Sequence, residues 1–175
     1  MSTDRIEKQV VLHAPMERVW RAISDSQEFG RWFGVRIDGP FVAGTSVTAT
    51  ITGTTVDEEV AELQRPHAGA KATWQIVAME PPRRFAYRWH PFAVEPGVDY
   101  AAEPTTLVEF TVSPTLDGVL LSIVESGFDA IPAARRSAAF EANSGGWAKQ
   151  VELVCASTWR WSSGCDERAR GGTAL

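Results

Sequence analysis

Glu125 is a carboxylate in a segment where it could do chemistry. Residues 119–126 read VLLSIVES, which predicts a strand in which Glu125 and Ile123 point to the same side. A carboxylate that faces an apolar interior is costly unless it is paired, hydrogen-bonded or protonated, so such a position is typical of ligand binding or of acid–base catalysis. The simpler alternative, which we prefer from the sequence alone, is that Glu125 reaches solvent at the strand end or pairs with Arg88 or Arg135.

Aromatic residues alternate along another predicted strand. Phe85, Tyr87 and Trp89 occupy every second position, so their side chains share one face. Tyr87 and Trp89 carry polar groups that need partners when buried, which favours the wall of a cavity; for Phe110, core packing is an equally good interpretation. The predicted cavity residues are Trp32, Phe33, Tyr87, Trp89, Phe110, Glu125, Trp147 and Val151.

The histidines do not form a metal-binding pattern. His13, His67 and His90 are isolated from one another, and no HxH or HxxxH pair occurs. The sequence also lacks GxSxG, Walker-type and GxGxxG signatures, so nothing supports acyl hydrolysis, nucleotide hydrolysis or dinucleotide use. We therefore expect no metal site and no bound cofactor.

A proline-rich loop follows the aromatic strand. Residues 90–104 include three prolines together with Asp99, Tyr100 and Glu103. A loop of this length is often a lid over a functional site, so these three residues are lid candidates. An ordered surface loop held by its prolines is an equally good interpretation.

Composition and charge limit the number of domains, the kinds of partner and the cellular compartment that we expect. The chain has 175 residues and a formal net charge of −5, which fits one domain and gives no electrostatic reason to expect nucleic acid or an anionic membrane. The first residues, MSTDRIEKQ, are polar and predict neither a signal peptide nor a membrane span. Cys155 and Cys165 have no CxxC spacing, so they are interpreted as free thiols in a reducing compartment. These features predict a cytoplasmic protein.

The last long helix should organise the fold. Apolar residues recur with helical spacing between residues 146 and 161, which predicts one buried stripe: Trp147, Val151, Val154, Cys155, Thr158 and Trp161. Asn143 or Ser144 is expected to cap its start, after a separate helix that ends near Ala142. Leu153 falls on the polar side of this helix. Residues 1–161 form the predicted domain, and residues 162–175 are expected to be a disordered tail.

The remaining elements predict an α+β fold. A first strand near residues 5–13 is followed by two short helices, then by about six strands joined mostly by short turns, and then by the long helix. Strands connected in this way pair antiparallel. Residues 53–71 are the least defined part, with an acidic strand and a helical turn both compatible with the pattern.

Several segments occur in an order that resembles a known superfamily. They are VVLHAPMERVWRAI, QEFGRWFG, DGPFVAG, MEPPRRFAYRWHP, TTLVEF, VESGF and GGWAKQV. Together they resemble the SRPBCC superfamily, which has the START and birch-pollen-allergen helix-grip fold. Within it, they are most similar to homologues of the activator of the 90-kDa heat-shock protein ATPase. The resemblance covers roughly residues 5–160.

This resemblance implies a fold and a range of functions. The implied fold is a curved antiparallel sheet of about six or seven strands that grips the long helix, with a cavity between them. Relatives bind lipids, hormones or polyketides, some catalyse cyclisation, and the namesake is a cochaperone. The chain begins directly at the first strand, without the cochaperone's additional N-terminal domain, which argues against a chaperone role.

Three functional hypotheses follow. The leading one is a monomer or homodimer that binds a hydrophobic or aromatic small molecule in the cavity, as a carrier, sensor or detoxifying binder. The second is a cyclase- or hydratase-type enzyme with Glu125 as acid or base, assisted by Tyr87 or His90. The third is a protein-interaction module with a large exposed apolar patch.

Overall fold

A curved seven-stranded antiparallel sheet and one long helix dominate the structure, a computed structural model described over residues 4–158. The strands are β1 (Arg5–Leu12), β2 (Val35–Ile37), β3 (Ser46–Ile51), β4 (Lys71–Glu80), β5 (Arg84–Trp89), β6 (Thr106–Thr115) and β7 (Gly118–Ser126). The helices are α1 (Met16–Ser24), α2 (Ser26–Phe33), α3 (Glu58–Gln64) and α4 (Ala133–Thr158), with short 3-10 helices at Arg65–His67 and Phe128–Ala130.

The strand order in the sheet largely follows the order of the strands along the chain. It runs β1-β7-β6-β5-β4-β3-β2, so each strand from β2 to β7 pairs with the next one along the chain. β1 instead pairs with β7 along its whole length, and α1 and α2 connect it to the far edge of the sheet. α4 packs against β1, α1 and α2. The predicted α+β helix-grip architecture is confirmed.

The α2 helix is capped at both of its ends. Asp25 accepts hydrogen bonds at 3.0 Å from two backbone N–H groups of the first turn. The helix ends at Gly34, whose φ of 94° lies in the left-handed region that other residues rarely adopt. Gln64 of α3 then donates to the carbonyl of Phe33 at 2.9 Å. These contacts fix Phe33 beside β2.

The C-terminal helix differs from the sequence prediction. It is one helix from Ala133 to Thr158, so the expected break near residue 143 and the cap by Asn143 or Ser144 are wrong. Glycine in a helix interior costs about 1 kcal/mol relative to alanine, but tertiary packing supplies most helical stability and outweighs that cost at Gly145 and Gly146.

Two further expectations for α4 need correction. Leu153 is buried at 2% exposure rather than facing water, because α4 packs against α1 and α2 as well as against the sheet and so buries a wider face. Cys155 is buried and disulfide-bonded, so the free-thiol interpretation is wrong. Trp161, Cys165 and the predicted tail at 162–175 lie outside the described residues.

The segment 53–71, which the sequence left least defined, contains a short acidic helix. α3 begins after Asp57, whose side chain accepts from the backbone N–H of Val60 at 2.9 Å. Glu58 and Glu59 occupy the first turn, where carboxylates are favoured by the helix dipole. Of the two interpretations left open by the sequence, the helical one is confirmed.

Between the sheet and the helices lies what we call the aromatic core. Phe29 is fully buried at its centre and lies within 6.4 Å, ring centroid to ring centroid, of residues from α2, β4, β5 and β6. Trp74 and Tyr87 stack in parallel at 4.5 Å. The members are Phe29, Phe41, Trp74, Phe85, Tyr87 and Phe110.

Candidate functional site

Glu125 is fully buried on β7. It pairs with Val108 of β6 and with Ile6 of β1, and it follows Leu121 and Ile123 on the inward face of the sheet. The alternative in which Glu125 reaches solvent or pairs with Arg88 or Arg135 is wrong. Arg135 instead forms an ion pair with Glu103 at 2.6 Å.

The Glu125 carboxylate is surrounded by hydrogen-bond donors. Oε1 accepts from the indole N–H of Trp89 and from the Thr106 hydroxyl, each at 2.7 Å. Oε2 accepts from the indole N–H of Trp147 at 2.6 Å. The amide Nδ2 of Asn143 lies 3.0 Å from both oxygens. We call these five residues the carboxylate cluster.

The donor set explains how a carboxylate is tolerated there. Each of the four partners donates a hydrogen bond, and a carboxylate can only accept hydrogen bonds. Hydrogen bonds to a charged acceptor are stronger than neutral ones and offset the cost of removing the carboxylate from water. Among residues 4–158, no lysine, arginine or histidine forms an ion pair with Glu125. The cluster is therefore held by neutral donors.

Tyr87 lies next to this cluster but is not part of it. Burial and, secondarily, the negative charge of Glu125 raise the pKa of Tyr87 well above its ordinary value of 10.0. Its hydroxyl is sealed from solvent and has no hydrogen-bond partner among the described residues. Tyr87 is thus held as a neutral phenol and does not donate to Glu125.

An apolar cavity of about 190 Å³ opens beside the carboxylate cluster. Its floor is formed by β2, β3 and β4, one wall by Phe33 and Trp89, and its rim by the segment after β5. Phe92 on that rim is 42% exposed and has a φ of 50°, unusual for a residue other than glycine. Its lining residues include Phe33, Ala72, Trp74, Trp89, Phe92 and Asn143.

A second, smaller space adjoins it. This helix pocket has a volume of about 70 Å³ and lies against α4. It shares Phe33, Trp89 and Asn143 with the apolar cavity. The remaining lining residues are Gly146, Trp147 and Gln150.

Two members of the carboxylate cluster belong to the common wall of these two spaces. Trp89 and Asn143 line both of them, and Trp147 lines the helix pocket. Glu125 lines neither and lies behind these side chains, where it accepts their hydrogen bonds. Its geometric role is to hold the indole and amide groups of the wall in fixed orientations.

The predicted cavity residues divide into two groups. Phe33, Trp89 and Trp147 line the spaces described above. The others are buried and line neither: Trp32, Tyr87, Phe110, Glu125 and Val151. Trp32 donates its indole N–H to the carbonyl of Ala22 at 2.8 Å, and Tyr87 and Phe110 pack together in the aromatic core. Whether any of them contacts a ligand stays a prediction.

The lid candidates belong to a loop that is attached to α4. Glu103 pairs with Arg135, and the guanidinium of Arg135 lies 4.9 Å from the ring centroid of Tyr100. Asp99 makes a local contact, accepting from the backbone N–H of Ala101 at 2.9 Å. Arg135 also donates to the carbonyl of Pro91 at 2.9 Å. The loop is thus anchored next to the rim of the apolar cavity.

Sequence reasoning missed three residues of this region. Thr106 lies on the same strand face as Phe110, so the alternation that located Phe110 also contained the signal for Thr106. Asn143 and Gln150 sit on α4 at spacings of four and three residues from Trp147. Their signal was hidden because the helix was expected to begin only near residue 146.

The described residues hold neither a metal-binding cluster nor a spanning helix. Within 4–158, no group of three or more histidine, cysteine, aspartate or glutamate side chains could hold a metal ion. No helix in the same range is long and apolar enough to cross a bilayer.

Solved structures show the same fold at low sequence identity. Protein CV1439 from Chromobacterium violaceum is 22% identical, with a TM-score of 0.63 over 90% of this chain and 98% of that one. Protein MLL2253 from Mesorhizobium loti is 20% identical, with a TM-score of 0.63 over 87% and 95%. DynU16, from the dynemicin biosynthetic locus, is 19% identical, with a TM-score of 0.61 over 91% of this chain and 51% of that chain. At these identities the likeness shows the fold alone.

The family comparison is more specific. No curated protein matches the chain. The model of the family described as Activator of Hsp90 ATPase homolog 1-like protein matches residues 13–153, well over half of the sequence. The chain therefore belongs to the family of Activator of Hsp90 ATPase homolog 1-like proteins, with the SRPBCC helix-grip fold.

Proposed function

We propose that this protein binds a small, mainly apolar molecule in the apolar cavity and acts as a carrier, sensor or detoxifying binder. The observation that carries the proposal is the apolar cavity of about 190 Å³, whose wall residues Trp89 and Asn143 are held by the buried carboxylate of Glu125. Holding wall side chains in place before a ligand arrives reduces the entropy lost on binding.

The size of the cavity limits the ligand. An apolar cavity of roughly 150 Å³ accommodates one benzene molecule. The apolar cavity, at about 190 Å³, therefore fits one substituted aromatic ring or a compact aliphatic group of similar volume. The rings of Trp74 and Trp89 offer faces against which a flat ligand can pack.

Binding is better supported than catalysis. A general acid or base must reach the proton that it transfers, directly or through one water. Glu125 lies behind the wall, and its oxygens already accept from four side chains. The similarity to DynU16, a protein from a biosynthetic locus, is compatible with a small-molecule ligand, but the description of DynU16 names no reaction. The cytoplasmic location and the monomer or homodimer state stay predictions.

The test is an NMR titration of the ¹⁵N-labelled protein with p-xylene, a one-ring apolar probe. We expect saturable shifts of the Trp89 and Trp147 indole N–H signals. Ala72→Leu adds bulk inside the apolar cavity and should weaken binding by about tenfold, which is roughly 1.4 kcal/mol.

Val77→Leu is the matched control. Val77 lies on the same strand as Ala72, is 44% exposed and does not line the apolar cavity. Its substitution should leave the p-xylene affinity within about twofold of the wild-type value. Absence of saturable binding to the wild type, or equal affinity in Ala72→Leu, would overturn the proposal.

A further inference from the structure

We propose that Phe92 determines which ligands the apolar cavity accepts, and that Arg135 is the residue that positions it. Phe92 admits a flat ring with short substituents and excludes molecules that are longer or branched. This inference rests on the proposed function and specifies its ligand class. It concerns the mouth of the apolar cavity, where residues 92–94 form the rim.

Phe92 combines two unusual features at this rim. Its side chain is large and apolar, yet it is 42% exposed beside an apolar cavity. Its φ of 50° lies in the left-handed region, which is unfavourable for a residue that carries a side chain. Such a conformation persists only where surrounding contacts impose it, and it is most common at functional sites. Contacts from elsewhere in the fold must therefore hold the backbone at Phe92.

The guanidinium of Arg135 supplies contacts on both sides of this residue. Nη1 donates to the carbonyl of Pro91 at 2.9 Å and lies 3.4 Å from the carbonyl of Phe92, which also accepts from it. These carbonyls belong to the two planar peptide groups that flank the Cα atom of Phe92. Holding both groups restricts rotation about φ and ψ, so Arg135 sets the direction in which the Phe92 ring leaves the chain.

Arg135 is itself held in place. Its Nε donates to Glu103 at 2.7 Å, its Nη2 forms an ion pair with the same carboxylate at 2.6 Å, and its guanidinium lies 4.9 Å from the ring centroid of Tyr100. A planar guanidinium can make these contacts at the same time, whereas a lysine ammonium cannot. Arg135 belongs to α4, which also provides Asn143 to the cavity wall. One helix therefore supports both a wall and the mouth of the cavity.

The mouth is the direction in which a longer ligand has to extend. The opposite side of the apolar cavity is closed by Phe33 and Trp74, which are buried in packed elements of the fold. A substituent that does not fit beside the first ring must therefore pass Phe92. A ring that is fixed at this point discriminates against molecules that are larger by one or two carbon atoms.

The first test compares p-xylene with p-cymene, in which a branched isopropyl group replaces one methyl group. Both affinities are measured by NMR titration of the full chain, and the ratio of p-cymene to p-xylene affinity is the readout. Phe92→Ala should raise this ratio roughly tenfold, the effect of relieving such a misfit in an apolar pocket. Val98→Ala is the matched control, because Val98 is exposed on the same loop and does not line the cavity. It should leave the ratio unchanged.

The second test asks whether Arg135 acts through Phe92. Arg135→Lys keeps the positive charge beside Glu103 but cannot hold both carbonyls, so it should release the ring and raise the ratio severalfold. Added to Phe92→Ala, the same substitution should change the ratio by less than about twofold, because no ring is left to position. A role of Arg135 that is independent of Phe92 would shift the ratio equally in both backgrounds.

The outcomes separate the proposals. An unchanged ratio in Phe92→Ala, with p-xylene still bound by the wild-type protein, would overturn the specificity role of Phe92 and leave the proposed function standing. Equal shifts from Arg135→Lys in the two backgrounds would overturn the positioning role of Arg135. Absence of p-xylene binding to the wild-type protein would overturn the proposed function itself, and this inference with it.

Discussion

Two neighbouring residues on β5 contrast the interior of this protein with its candidate site. Tyr87 and Trp89 lie on the same strand face, with ring centroids 5.6 Å apart. Tyr87 is buried in the aromatic core and its hydroxyl has no partner among the described residues. Trp89 is only partly buried, lines both spaces and donates to Glu125.

The contrast shows what the carboxylate cluster does. Packing alone holds the aromatic core, and it tolerates an unsatisfied hydroxyl at Tyr87. The wall beside the cavity lacks packing partners on one side, so its side chains need directional contacts to stay in place. Glu125 supplies those contacts to Trp89, Asn143 and Trp147.

Removing the carboxylate should have the largest effect. Glu125→Ala leaves four donors without their acceptor, and we expect a loss of about 3–5 kcal/mol in the free energy of unfolding. Urea denaturation measures this loss. Glu152→Ala is the control, since Glu152 is exposed on α4, and it should change stability by less than about 0.5 kcal/mol. Similar effects of the two substitutions would contradict a structural role for Glu125.

Only one of the two β5 aromatics should lose stability when its polar group is removed. Trp89→Phe removes a hydrogen bond to a charged acceptor and should destabilise the protein by about 1.5–3 kcal/mol. Tyr87→Phe removes an unsatisfied buried hydroxyl and should leave stability unchanged or raise it by up to about 1 kcal/mol. Both values come from urea denaturation. Equal destabilisation by Tyr87→Phe and Trp89→Phe would contradict the difference drawn between the aromatic core and the cavity wall.

The ionisation of Tyr87 gives a pH-dependent test of the same contrast. Because the pKa of Tyr87 is raised in the folded state, its contribution to stability is fully present below pH 10.0 and is lost as pH rises towards the folded-state pKa. In Tyr100→Phe, Tyr87 is the remaining tyrosine, so ultraviolet absorbance follows it alone. We expect tyrosinate absorbance to appear together with unfolding. Tyrosinate formation near pH 10.0 in the folded protein would contradict the burial of this group.

The loop anchor should have the smallest effect. Glu103→Gln weakens a half-buried ion pair with Arg135 and should cost about 0.5–1 kcal/mol of global stability. Hydrogen exchange of the backbone amides between residues 92 and 103 should become faster, while exchange in β6 and β7 stays unchanged. Unchanged exchange in the loop would show that its anchoring depends on other contacts.

The fold could be predicted from the sequence because its signals are local or periodic. Alternation located the inward faces of β5 and β7 and placed Glu125 on the same side as Ile123, although the alternative preferred from the sequence, in which Glu125 reaches solvent or pairs with an arginine, is wrong. The partners of Glu125 could not be predicted in the same way. They come from β5, β6 and α4, and the pairing depends on how the helix crosses the sheet.

The middle of α4 shows how a local signal can mislead. The sequence Asn143-Ser144-Gly145-Gly146 is typical of a helix boundary, and it implied a break that the structure does not have. Tertiary packing keeps the helix continuous, and Asn143 bonds to Glu125 instead of capping. The helix pocket lies at these same residues, so the local irregularity coincides with the candidate site.

The most direct test of the account is a crystal structure of the protein soaked with p-xylene. We expect density for one ring in the apolar cavity, against Trp74 and Trp89, with the Trp89 indole still bonded to Glu125. An empty cavity at saturating probe, or a ring that binds only by displacing Trp89 from Glu125, would contradict the claim that the carboxylate holds a preformed binding wall.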